Sequence, residues 1–325
     1  MCLPHPSTRL PSGQRAVYPG GAVAELVELA DGAFYLPGGV NVGVVAAPSG
    51  ALLIDTGGDR DYGRAIRRAL EGRGLRLAAI LNTHSHADHY GGNDYLLRNV
   101  ARVPVWAPVL EEAILRYPYL EPTYLFGGAA PPQGLRGKWL SGPPSPVDHV
   151  YDTIDGVLEV AGLPLRVHRA DGHAIRMAAI GYGPVLYASD AFFGPQVLEK
   201  YEIPFSHDVA GQLATLERLA SWPYEWFVPG HGAPVPRAQI EEVVAQNVRA
   251  IERASALVLD ALAGGPCPTD EVVRVVTSRL RTPPQDLATY FLLHATVLAH
   301  LSHLVERGAV RAVVEGGHLR WALGE

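Results

Sequence analysis

The stretch Thr83-His84-Ser85-His86-Ala87-Asp88-His89-Tyr90-Gly91-Gly92 carries three histidines and an aspartate within six positions. It follows directly on the apolar run LAAILN, which reads as a buried strand. Side chains at i and i+2 of an extended segment point the same way. His84 and His86 therefore face one metal ion, while Asp88 and His89 turn towards a second. Neutral imidazole and carboxylate are the ligands expected for zinc, iron or manganese. One loop cannot complete such a site, so further ligands must end other strands.

Around this loop the chain alternates short strands and helices. ELVEL, AFYLP, VNVGVVAAP and ALLIDTG read as strands, with PSG as a hairpin turn between the last two. DYGRAIRRALEGRGL has helical spacing and ends on glycine. The helix NDYLLRNV and the strand VPVWAP follow the histidine loop, which predicts a layered α/β domain. Between Glu111 and Val150 seven prolines fall among Tyr117, Tyr119, Tyr124, Phe126 and Trp139. That density forbids long regular elements, and the aromatics argue against disorder, so a lid or wall is expected. Strands return in pairs, GVLEV with LPLRVHRA and MAAIGYG with PVLYASD. The helix HDVAGQLATLERLASW comes next, with His207 and Asp208 at its start as cap residues. WFVPGHG is a final strand.

From Ala238 the character changes to three amphipathic helices and a strand pair, the outline of a winged-helix unit. The expected organisation is an N-terminal extension over 1–22, a catalytic domain over 23–237 with the 111–150 insertion, and a C-terminal unit over 238–325.

The missing ligand candidates stand at strand ends: His173 in RADGHA, Asp190 in PVLYASD, His231 in WFVPGHG and Asp55 in LLIDTGG. Ligands of layered α/β proteins bind at strand carboxyl ends. The series HxHxDH, Gly-His, Asp and PGHG, in that order, resembles the metallo-β-lactamase superfamily from Val23 to Pro236. The resemblance implies a four-layer αββα sandwich with metals at one edge between two sheets. It implies His84, His86 and His173 on the first metal, Asp88, His89 and His231 on the second, and Asp190 bridging them. Asp55 would lie behind, orienting the metal loop by hydrogen bonds. Two zinc ions are the expected cofactors, with iron or manganese as alternatives. Ions about 3.5–4 Å apart lower the pKa of a shared water and polarise the oxygen under attack. Asp88 would orient the resulting metal-bridging hydroxide and pass its proton to the leaving group.

Departures from well-known branches narrow the substrate. Antibiotic-hydrolysing members are usually exported, and their commonest type places Cys where this chain has Asp190. The opening MCLPHPSTRLPSGQRAVYPGG has no apolar segment behind a basic one, so a cytoplasmic protein is expected. Quorum-signal lactonases typically carry Tyr three residues after the bridging Asp, where this chain has Phe193. The third motif usually continues with Ser or Thr. Here it reads Gly172-His173-Ala174-Ile175-Arg176, so Arg176 can meet an anionic group. Tyr119, Tyr124, Phe193 and Arg176 are the candidate substrate-lining residues. The expected activity is hydrolysis of a thioester, lactone or ester of a small to medium molecule. The alternatives are an iron persulfide dioxygenase, which resembles this signature but uses one iron on two His and one Asp, and a nucleic-acid phosphodiesterase.

Charge speaks against the last. The net charge is −6, and from Ile240 eight arginines face ten carboxylates, the wrong sign for a phosphate backbone. No nucleic-acid partner is expected; the C-terminal unit is expected to close over the site edge or to make a homodimer contact. No run of about 18 apolar residues predicts a membrane span. Cys2 and Cys267 form neither a disulfide framework nor a zinc-finger spacing. His300 and His303, one helical turn apart, are expected on a surface or interface face.

Overall fold

Short runs rich in Val, Ala and Leu have apolar side chains on both faces, so each strand must be covered on both sides. The computed structural model, which describes residues 25–324, meets that demand with two face-to-face sheets and helices outside them. The expected 1–22 extension and Cys2 lie outside the described residues. In the first sheet β1 (Val27–Ala30), β2 (Ala33–Leu36), β3 (Val42–Ala47), β4 (Gly50–Ile54), β5 (Leu77–Leu81), β6 (Val105–Pro108) and β7 (His149–Tyr151) lie in sequence order. The pairs through β4 are antiparallel and those beyond it parallel. The change comes at α1 (Arg60–Gly72), the first crossover helix. Asp59 caps α1, its Oδ1 accepting from the amides of Asp61 and Tyr62 at 3.0 and 3.4 Å. Two short helices follow β5: α2 (Ala87–Tyr90) and α3 (Asn93–Asn99).

The second sheet contains β8 (Gly156–Val160), β9 (Leu163–Arg169), β10 (Ala178–Tyr182), β11 (Val185–Ser189), β12 (Trp226–Pro229) and β13 (Val235–Pro236). Successive side chains of each strand divide between two cores. Leu52, Ile54, Leu81, Leu165, Ile180, Tyr187 and Val228 fill the space between the sheets. Leu53 and Ile80 face the other way, onto Ile66 of α1 and Leu96 of α3.

The 111–150 segment holds two six-residue helices, α4 (Glu111–Arg116) and α5 (Leu120–Leu125), the lengths its prolines permit. Leu125, Leu135 and Leu140 form a small core of their own. Beyond β11 come α6 (Pro195–Tyr201) and α7 (Val209–Leu219). Asp208 occupies the N-cap position of α7, but its side chain makes no capping bond, contrary to expectation. The amides of His207 and Asp208 instead donate to the Gly172 carbonyl at 2.8 and 2.9 Å, which ties the helix start to the loop carrying His173.

Three helices and a ribbon end the chain in the expected order: α8 (Ile240–Leu262), α9 (Thr269–Ser278), α10 (Leu287–Glu306), β14 (Val310–Glu315) and β15 (His318–Leu323). Ile240, Val243 and Ile251 of α8 join Leu186, Phe227, Leu216 and Leu219 in the core outside the second sheet. Phe126 of the 111–150 segment packs on Phe291 of α10, with ring centroids 5.3 Å apart, so that segment is anchored on the C-terminal helices. By length and composition alone α10 is apolar enough to cross a membrane. Its Leu293, Val297, Leu301 and Leu304 are packed within the C-terminal core. Of the surface or interface face expected for His300, the surface is excluded and it lies at the contact between α10 and α8. It is 2% exposed, and its Nδ1 lies 2.9 Å from Ser255 Oγ, because that stripe of α10 faces α8.

Glu121 of α5 is also buried, and its Oε2 has no hydrogen-bond partner. Burial foremost, then the charges of Asp88 and Glu111, push its carboxyl well above the ordinary 4.5. A carboxyl raised in the folded state contributes stability below its unfolded pKa and loses it as pH climbs towards the folded value. Glu121→Gln is therefore expected to exceed the parent by about 1–3 kcal/mol in mildly alkaline buffer. Its advantage should vanish in acid, as urea midpoints across pH will show.

Candidate metal centre

Five strand ends bring the predicted residues together at one edge of the sandwich. Asp55 directly follows β4, and the loop after β5 carries His84 and His86. Asp88 and His89 lie on α2, which begins directly after His86. His173 sits in the loop after β9, Asp190 directly after β11, and His231 two residues beyond β12. Ligand-capable atoms of His84, His86, His173 and Asp190 lie within 4.8 Å of one another, as do those of Asp88, His89 and His231. Asp190 reaches both groups: its Oδ2 is 3.1 Å from His173 Nε2 and 3.6 Å from His231 Nε2, and its Oδ1 is 3.5 Å from His89 Nε2.

Each of four imidazoles is held through Nδ1, which orients the ring and turns Nε2 inwards. His89 Nδ1 donates to Asp55 Oδ2 at 2.9 Å, His231 Nδ1 to the Gly39 carbonyl at 2.7 Å, and His173 Nδ1 to the Phe205 carbonyl at 3.2 Å. His84 Nδ1 lies 3.0 Å from Thr83 Oγ1, which donates onward to Asp55 Oδ2 at 2.7 Å. Asp55 Oδ1 accepts from the Thr83 amide at 2.8 Å.

The electrostatics fit a cation. Burial foremost, then the neighbouring imidazoles, holds His84 well below the ordinary histidine value and His86 at about 3, so both stay neutral. Burial also opposes charge on His89, His231, Asp88 and Asp190, but there the mutual attraction wins. The carboxylates raise His89 strongly and His231 to about 9, and the imidazolium charges in turn hold Asp88 and Asp190 low. Protons on His89 and His231 thus stand where a divalent ion would balance the carboxylates. The orphaned atoms agree. His84 Nε2, His89 Nε2 and Asp190 Oδ1 are buried without hydrogen-bond partners, and His173 Nε2 faces His86 Nδ1 at 2.9 Å. Buried polar atoms left unpaired are costly, and converging imidazole and carboxylate donors are what zinc, iron or manganese would satisfy.

A cleft of about 200 Å³ opens beside His86 and His173, walled by Ile114, Tyr124, Ala174, Ile175 and Phe205 with His207 at its rim. Of the candidate lining residues, Tyr124 is in this wall. Tyr119 is not: it is exposed, with the Arg136 guanidinium 5.5 Å from its ring. Arg176 is committed to Asp171, with Nη1 at 3.0 Å from Oδ2. Phe193 is buried beneath the candidate ligands, its ring 5.6 Å from His173 and 6.5 Å from His231.

Two supporting residues escaped the sequence reading. Glu111, fully buried at the start of α4, accepts from the Ser85 amide at 2.9 Å and from its hydroxyl, and from the Arg176 amide at 2.8 Å. It clamps the histidine loop to the His173 loop. Asn41 donates to the Pro229 and Gly232 carbonyls at 2.9 and 2.7 Å, bracketing His231. Neither stands in a motif. A carboxylate opening the proline-rich segment was the only signal for Glu111.

A family model described as the Metallo-beta-lactamase superfamily matches residues 35–231. The chain belongs to this superfamily. Over 61 residues it is 41% identical to an atrochrysone carboxyl ACP thioesterase from Passalora fulva, covering 18% of each chain. Over 43 residues it is 51% identical to a hydroxyacylglutathione hydrolase from Synechococcus, covering 13% of this chain and 17% of that one. The chain thus spans less than a fifth of the length of these curated relatives. The crystal structure of a beta-lactamase domain protein from Burkholderia ambifaria shares the fold, with a TM-score of 0.72, 18% identity and coverage of 93% and 94% of the two chains. A metallo-beta-lactamase family protein from Thermus thermophilus superposes with a TM-score of 0.66 at 26% identity, over 91% of this chain and 100% of that one.

Within this metallo-β-lactamase centre the backbone approaches the ligands closely at Gly230. A Cβ there would lie 2.0 Å from Asp190 Oδ1 and 2.8 Å from His89 Cε1. Gly230→Ala is therefore expected to displace Asp190 and, if these donors hold a divalent metal, to lower its retention at least about tenfold while the sandwich stays folded. Metal content after dialysis against a graded chelator, alongside circular dichroism, checks this.

Proposed function

We propose that this protein is a metal-dependent hydrolase that holds two zinc ions and cleaves an ester-like acyl bond, with an acyl thioester as the leading substrate class. The observation that carries the reading is Asp190, buried between two complete donor groups and within 3.6 Å of a ring nitrogen in each. Divalent ions held there supply Lewis acidity and ease the ionisation of water at neutral pH. His84, His86, His173 and Asp190 would hold one ion, and Asp88, His89, His231 and Asp190 the other.

The chain's own residues supply the rest of the chemistry. Asp88 Oδ2 lies 3.3 Å from His231 Nε2 on the partly open side of the site, where it can accept a proton and release it to a leaving group. The apolar walls at Ile114, Ile175 and Phe205 exclude water and accommodate the acyl portion. The names of both relatives describe enzymes acting on acyl conjugates, which supports an acyl substrate here. The second donor group, with His89 anchored on Asp55 and His231 on Gly39, favours two ions over the single iron of a dioxygenase.

Elemental analysis is expected to find about two zinc per chain, and one iron would overturn the reading. In a panel of acyl thioesters, lactones, nitrocefin and phosphodiesters, acyl thioesters should turn over fastest. Asp88→Asn should keep the fold and lower kcat by about 10²–10⁴; near-parental turnover would remove Asp88 from its role. Ile175→Trp, which fills the cleft, should raise KM for a hexanoyl thioester about tenfold or more and leave an acetyl thioester little changed.

A further inference from the structure

We infer that the C-terminal helix α8 is a working part of the metal centre, and that Asn247 is the positioning residue through which it acts. The turn after β11 carries Asp190, and it is not a relaxed turn. Ser189 has φ of 50°, in the left-handed region that a non-glycine residue enters only when its surroundings compel it. The pairing of β11 with β12 also shifts register between Tyr187 and Ser189, which re-aims the chain just before Asp190.

Such a turn must be held at both ends. Upstream, the Ser189 carbonyl accepts from the Gly230 amide at 2.7 Å, and the Ser189 hydroxyl lies 3.3 Å from Asp55 Oδ2. Downstream the hold comes from α8. Asn247 Oδ1 accepts from the Phe193 amide at 2.9 Å, and Asn247 Nδ2 donates to the Phe193 carbonyl at 2.9 Å. One side chain thus satisfies both main-chain groups of a residue that belongs to no helix or strand. The same Nδ2 donates to the Val243 carbonyl of its own helix at 2.8 Å, which locks the rotamer. Asn247 is 2% exposed, and Ala250, one turn further along α8, packs with Phe193 and Leu198. The Phe193 ring in turn lies against His173 and His231. Losing Asn247 frees the downstream end of the turn, and the strain at Ser189 then moves Asp190 off its aim.

This inference rests on the metal-binding reading above and concerns zinc affinity, not the substrate. Zinc alone is titrated into the metal-free full-length protein against a chromophoric chelator. Asn247→Ala is expected to weaken zinc binding about 10- to 100-fold, the usual cost of losing support behind a ligand. Ser255→Ala, which removes the bond to His300 further along the same helix, is expected to keep the parental zinc affinity. Parental affinity in Asn247→Ala, or an equal loss in Ser255→Ala, overturns the inference. A parent that binds no zinc overturns the metal-binding reading as well. A measurement on the unaltered protein guards against an Asn247 variant that does not fold. The Phe193 amide of the metal-free protein should exchange with solvent as slowly as core amides of α8, and exchange at a free-loop rate refutes the clamp.

Discussion

Asp55 is where the two sheets and the metal loop are held to one geometry. Its backbone sits at φ of 61°, a strained position that costs an aspartate about 1–3 kcal/mol. Its buried carboxylate accepts from the Thr83 amide, the Thr83 hydroxyl, His89 Nδ1 and the Ser189 hydroxyl at 2.8, 2.7, 2.9 and 3.3 Å. Those donors come from the loop after β5, from α2 and from the end of β11, so one side chain spans three ligand-bearing segments and both sheets. Charge-assisted bonds to a carboxylate are roughly twice as strong as neutral ones, and four of them offset the backbone strain. The candidate ligands His84, His89 and Asp190 are each tied to this junction directly or through a neighbouring residue.

Around it the protein has concentrated charge where burial opposes charge. His84, His89, His173 and Asp190 are each 5% exposed or less. The network resolves this by keeping His84 and His86 neutral and by pairing His89 and His231 with the carboxylates. Divalent cations held by these two groups would replace those protons, so that metal affinity and protonation would be linked.

Support for the ligands comes from elements far apart in the chain. Asn41 before β3 brackets His231, Glu111 of α4 joins the His84 loop to the His173 loop, and Asn247 of α8 grips the Asp190 turn. All three satisfy main-chain groups of loops, and loops cannot hold position by their own ladder bonds. The 111–150 wall and the C-terminal helices therefore share in the rigidity of the centre, as well as bordering it.

Much of this was legible in the amino-acid order. Period-two and period-3.6 apolar patterns placed the strands and helices, because each reports only on which faces are buried locally. The density of histidine and aspartate after LAAILN, and the lone His173, Asp190 and His231 at strand ends, marked the candidate ligands that the fold brings together, since such side chains have few other reasons to gather at strand termini. Tertiary packing alone decided the rest. A lone Glu111 or Asn247 looks like any surface polar residue until the fold shows which loop it touches, although Asn247 does interrupt the buried stripe of Val243, Ala250, Ile251 and Ala254. Arg176 pairs with Asp171 and Tyr119 lies beside Arg136, partners no local pattern reveals. His300 went inside because α10 turns that stripe towards α8. Ligand identity is a matter of residue type and strand end, both written along the chain; support and orientation depend on contacts between distant segments, which exist only once the chain has folded.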